Sequence, residues 1–140
     1  LLKKFTVKEV YVGLLPRGGD FLDELEKFAR EKDIQAAEVQ LIGFADGAVF
    51  GYYDSENERY IEMRLGGKLE VISAIGNISM KDGKPFAHIH IVLGDEKKQL
   101  YGGHLLPGTK IIVAETRIAV LTGDELVREH EPETGLFLWK

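Results

Sequence analysis

Only one stretch of this chain repeats its apolar residues with the period of a helix, and that constrains the fold more than any other feature. Phe21, Leu25, Phe28 and Ala29 fall at i, i+4, i+7 and i+8, behind Pro16-Arg17-Gly18-Gly19 and an N-cap candidate, Asp20. The spacing predicts an amphipathic helix over about Phe21 to Lys32, with Asp23 and Glu24 in its first turn and Arg30 and Lys32 in its last, as the helix dipole favours. Nothing else has that period, so strands must supply the rest of the core.

Runs rich in β-branched and aromatic residues place those strands at Phe5 to Leu14, Glu38 to Tyr53, Tyr60 to Leu65, Leu69 to Met80, Phe86 to Leu93, Gln99 to Leu105, Thr109 to Val120 and Leu136 to Trp139. Turn residues separate them, at Asp54 to Asn57, Gly66-Gly67, Lys81 to Pro85, Gly94 to Glu96 and Pro107-Gly108. Links this short favour antiparallel neighbours. The expected architecture is an α+β fold: a mainly antiparallel mixed sheet with one principal amphipathic helix, spanning residues 1–140 as a single domain. With 140 residues, 44% hydrophobic and 29% charged, the chain can bury one substantial core and is unlike a disordered sequence. No run is long and apolar enough to span a bilayer, and no signal-peptide pattern opens the chain, so a cytoplasmic protein without a membrane partner is the expectation.

Two counts narrow the chemistry. There is no cysteine, which excludes disulfides, thiol catalysis and Cys-type zinc sites, and leaves nitrogen and oxygen as metal ligands. The 18 basic and 23 acidic residues give a net charge of −5, which repels polyanions and makes DNA an unfavoured partner.

The four histidines are therefore the residues to follow. In Phe86-Ala87-His88-Ile89-His90-Ile91-Val92-Leu93, alternation puts His88 and His90 on one strand face and Ala87, Ile89, Ile91 and Leu93 on the other. If Asp95 to Gln99 closes a hairpin as a five-residue loop, Gly94 pairs with Leu100 and His104 falls opposite His90 on the same face. Three imidazoles then converge within reach of one metal ion, with an open fourth position, which is a zinc arrangement of the catalytic type. A four-residue loop would send His104 to the other face, and the sequence leaves that register open. The same residues also read as ordinary half-exposed histidines. Gly102-Gly103 beside His104 reads as a bulge or as a place where something approaches the backbone closely. His130 lies in the polar run Arg128 to Glu133 and is expected to be solvated, outside the site.

Glu115 interrupts the apolar run Ile111 to Ala114. With a two-residue turn at Pro107-Gly108 it would lie beside Leu100, about 13 Å from His104 at ~3.3 Å per residue, too far to join the site. A buried ion pair, with Arg117 for instance, is the expectation there. Asn77-Ile78-Ser79 matches a glycosylation sequon but reads as part of a strand.

Together these segments resemble the plants-and-prokaryotes conserved (PPC) domain family over nearly the whole chain. The resemblance rests on Leu15-Pro16-Arg17-Gly18-Gly19-Asp20, Leu41-Ile42-Gly43-Phe44-Ala45, the run Leu69 to Ser79, Lys84-Pro85-Phe86-Ala87-His88-Ile89-His90 and Gly102-Gly103-His104-Leu105. It implies a homotrimer in which His88, His90 and His104 bind zinc, and it assigns no reaction and no catalytic residue. A zinc-binding homotrimer with a site suited to hydrolytic chemistry is the first expectation, with a small-molecule ligand as a possible partner. A DNA-associated or protein-binding regulatory module without catalysis is the alternative. The Arg-Gly-Arg-Pro hook that plant members carry for DNA is absent from this sequence.

Overall fold

The structure, a computed structural model, describes residues 2–140. Its elements run β1 (Phe5–Leu14), α1 (Phe21–Glu31), β2 (Ala37–Asp54), β3 (Arg59–Lys81), β4 (Lys84–Gly94), β5 (Leu100–Leu105), β6 (Lys110–Gly123), β7 (Val127–Glu131) and β8 (Leu136–Trp139). The helix forms where its period predicts, ending at Glu31 with Lys32 as C-cap. Asp20 caps it with Oδ1, which accepts from the Leu22 and Asp23 amides, while Oδ2 accepts from the Gly108 and Thr109 amides and ties the helix to the loop before β6. Phe21, Leu22, Leu25 and Ala29 are buried, and the helix packs against β4.

The α+β expectation fails. Strands hold 66% of the residues and the helix 8%, and the sheet closes on itself like a barrel. The strand order is β1-β6-β2-β5-β4-β3-β7-β8, and β2 also pairs with β3, so β2, β3, β4 and β5 form a closed ring. A sheet that curls onto its own inner face buries its apolar side chains against one another, and the helix is left as a patch on it rather than a second layer.

Closure depends on very long, bent strands. The two runs expected on either side of Gly66-Gly67 are one strand, β3, because Gly67 takes φ 84° at an irregularity in the β2–β3 ladder instead of reversing the chain. Further shifts occur between Leu41 and Gly43 of β2 and between Val71 and Ser73 of β3. Each extra residue strengthens the twist of its strand and re-aims the side chains beyond it. The short β5 then fits between β4 and β2, where a Cβ at Gly103 would lie 2.5 Å from the Gly51 carbonyl oxygen and one at Gly102 would lie 2.7 Å from that of Ile91.

One other expectation needs correction, and one strand lies outside those expected. β5 and β6 are not paired: Glu115 lies opposite Ile42 and Leu14, is exposed, and makes no ion pair among the described residues. The polar run containing His130 is itself a strand, β7, which pairs parallel with the end of β3 and antiparallel with β8. Among the described residues, no helix is long and apolar enough to cross a membrane.

Candidate metal centre

The β4–β5 loop decides whether the histidines meet. Asp95 organises it: Oδ1 accepts from the Lys97 and Gln99 amides, Oδ2 accepts from the Tyr101 hydroxyl, and the Asp95 amide donates to the Gln99 carbonyl. These bonds hold the five residues Asp95 to Gln99 as the connection, so Gly94 pairs with Leu100 and His90 with His104. On β4 the inward residues Ala87, Ile89, Ile91 and Leu93 are buried, which turns His88 and His90 outward.

His88, His90 and His104 each present a ring nitrogen such that the three lie within 4.8 Å of one another. Nε2 of His88 and Nε2 of His90 stand 3.2 Å apart. Two nitrogens each bound ~2.05 Å from one tetrahedral zinc would be ~3.3 Å apart, so this pair is already at ligand spacing. Three imidazoles with no thiolate and no carboxylate among them suit zinc and its neighbours among the divalent transition metals. The donor set and its spacing fit such an ion.

The residues around the three rings set their protons. Arg128, on β7, reaches across β3 to place Nη2 3.2 Å from Nδ1 of His88. A guanidinium only donates, so Nδ1 of His88 accepts and its proton sits on Nε2, pointing at Nε2 of His90. That shared proton occupies the place between the two nitrogens that a cation would take. For His88 Nε2 to hold a metal, this proton would have to stand on Nδ1, and the Arg128 hydrogen would turn to another acceptor. On the other side, the Tyr60 hydroxyl lies 3.5 Å from Nδ1 of His104, and the two rings stack at 4.5 Å. A hydroxyl there can accept from Nδ1–H and leave Nε2 of His104 free to ligate.

Burial pushes His88 down to about 4, helped by the charges of His104, Arg128 and His90. Burial likewise pushes His104 down to about 4, with His90 and Arg128 adding to it. Both rings are neutral at pH 7, so each can offer one nitrogen lone pair to a Lewis acid once its proton stands on the other nitrogen.

The sequence profile of the Plants and Prokaryotes Conserved (PCC) domain matches residues 2–122. The chain belongs to this family. A metal-containing protein of Archaeoglobus fulgidus is 39% identical, with a TM-score of 0.95 and coverage of 100% of this chain and 99% of that one. A plant- and prokaryote-conserved protein of Pyrococcus horikoshii is 34% identical, with a TM-score of 0.96 and coverage of 100% and 96%. The Bifunctional protein GlmU of a Synechococcus strain is 34% identical over 124 residues, covering 87% of this chain. This PCC chain spans only 18% of the length of that relative.

All three histidines expected at the site of this PCC domain come together, and His130 stays out, exposed on β7 with its ring 5.5 Å from that of Phe137. Sequence reasoning missed Arg128 and Tyr60. Tyr60 is the second residue of β3 at the β2–β3 hairpin, directly opposite Tyr53, so it follows from strand pairing once that hairpin is known. Arg128 has a fainter signal, the alternation of buried Leu126 and Arg128 with more exposed Val127 and Glu129 over too few residues to declare a strand.

Proposed function

We propose that this PCC domain is a zinc-binding protein that works as a homotrimer, with His88, His90 and His104 as the metal ligands. The observation that carries the reading is the convergence of three ring nitrogens within 4.8 Å on one outward face of β4 and β5. The description of the Archaeoglobus relative as metal-containing supports it. A three-imidazole zinc site keeps a position open for water or substrate, and zinc there would supply Lewis acidity of the kind hydrolytic enzymes use.

The chain's own residues would do the rest. Tyr60 would position the His104 ring by stacking on it at 4.5 Å, and Arg128 stands beside the His88 ring in the same wall. The trimer is supported by the face of the sheet opposite the core, where Val12, Leu14, Ile42 and Ile75 expose 79%, 71%, 53% and 57% of their surface, interleaved with Gln40, Glu115 and Arg117. Single exposed apolar residues are ordinary, but four on one face with polar and charged residues between them suit an interface, and a second copy of the chain is the simplest cover.

The test is metal content by elemental analysis, on protein purified without added metal or chelator, for wild type and His104→Ala. We expect about one zinc per chain in wild type and a loss of most of it in the variant, with the variant folded by circular dichroism. Equal and negligible metal in both overturns the reading. Sedimentation equilibrium reports the assembly, and a monomer at micromolar concentration removes the trimer.

A further inference from the structure

The three histidines open onto a cavity of about 720 Å³, and the wall of that cavity carries a charge imbalance. Arg128 is only 8% exposed, yet no carboxylate among the described residues pairs with it. Its guanidinium donates to four neutral acceptors: Nε to Ser79 Oγ at 2.9 Å, Nη1 to the Phe137 carbonyl at 3.0 Å, and Nη2 to Asn77 Oδ1 at 2.9 Å and His88 Nδ1 at 3.2 Å. Buried charges are ordinarily paired, and arginine does not lose its proton to escape the cost. Five N–H hydrogens and four acceptors leave one Nη1 hydrogen unspent.

Beside it in the β3–β7 register stands Lys81, whose ammonium lies 3.6 Å from the Phe137 ring centroid and 5.0 Å from that of Phe86. It too has no acidic partner among the described residues. Glu58, the one carboxylate in the cavity wall among the described residues, is exposed and pairs with neither cation. Two cations set in low-dielectric walls concentrate a positive potential in the space between them. The remaining walls are apolar and aromatic, with Tyr52, Tyr53, Tyr60, Phe86, Phe137 and Leu138 the main contributors. A cavity of this size, mostly apolar with a few convergent polar groups, is the form that small-molecule sites take.

We infer that this cavity binds a small organic carboxylate with a flat apolar body, its carboxylate held by the free Arg128 hydrogen and the Lys81 ammonium and its body lying against the aromatic walls. One N–H and one ammonium match the two oxygens of a carboxylate, and the face of the three histidines lies within reach of the same molecule. The inference deepens the metal reading and rests on it only for the identity of the group beside the carboxylate. Arg128 and Lys81 present the anion site with or without an ion.

The test is calorimetric titration of the full chain, zinc-loaded and chelator-treated, with benzoate, with benzamide as the neutral isostere, and with acetate as the anion lacking a body. Benzoate should bind at least about tenfold more tightly than either of the others. Lys81→Gln, a substitution at a half-exposed position that leaves the core intact, should weaken benzoate about threefold or more and weaken benzamide by a smaller factor. Benzoate binding no tighter than benzamide, or binding indifferent to Lys81→Gln, overturns the inference. Zinc uptake without a preference for benzoate defeats this inference alone. A benzoate preference that depends on Lys81 in a chain that takes up no zinc upholds it and defeats the metal reading alone.

Discussion

Lowering the pH should separate this site from an ordinary cluster of surface histidines. A metal competes with protons for each imidazole, so a ring with the usual value near 6.5 costs ~25-fold in metal affinity between pH 7 and pH 5. Two such rings would cost ~600-fold and three ~15,000-fold. His88 and His104 are each pushed down to about 4, chiefly by burial, and remain mostly neutral at pH 5. Each then loses only ~1.1-fold over the same interval, ~1.2-fold together. Whatever the third ligand contributes, these two rings account for ~1.2-fold where two free imidazoles would account for ~600-fold. Equilibrium dialysis against buffered zinc at the two pH values, with elemental analysis of both compartments, measures this directly. A fall of ~1,000-fold or more would refute the argument, because it would show that at least two of the three rings titrate as if they were in water.

The metal-free protein should instead lose stability as the pH falls. The values of His88 and His104 are depressed on folding, so between about 6.5 and about 4 the unfolded chain binds more protons than the native one. Their contribution is complete above pH 6.5 and drains away toward pH 4, and a melting temperature that is flat or rises across that window contradicts the assignment. Gly76→Ala should destabilise by ~1–3 kcal/mol, because the added methyl overlaps the His88 carbonyl oxygen and pushes β4 away from β3. Urea unfolding gives that number, and zinc affinity should fall with it because His88 moves. Asp20→Ala removes acceptors for four amides and should cost ~2 kcal/mol while leaving zinc affinity unchanged. Titration of duplex DNA at two salt concentrations should show no binding that weakens with salt, and a steep salt slope would restore the nucleic-acid alternative.

What the sequence made legible was local. The helix followed from one apolar stripe and Asp20, and the face shared by His88 and His90 followed from the two-residue period of β4. Even the placement of His104 was within reach, because five loop residues around Asp95 carry the parity of the hairpin in a single short segment. The errors concern pairings made over long distances. Gly66-Gly67 looks like a turn in isolation, and only the ladder to β2 turns it into a bend within one long strand. The α+β reading failed for the same reason, since closure of β5 onto β2 rests on two register pairs, Phe50 with Leu105 and Gly51 with His104, that no local pattern announces. Arg128 was hidden in the same way: its partners Asn77 and Ser79 lie about fifty residues earlier, in what reads locally as a sequon.

The central claim, that these three rings hold a metal together, can be tested on the ion itself. X-ray absorption at the zinc edge, on protein loaded with one equivalent and freed of excess, counts the ligands and gives their distances. The account predicts a first shell at ~2.0 Å with the multiple scattering of three imidazoles and room for one lighter oxygen ligand. A shell of six oxygens, or scattering from a single imidazole, would contradict it.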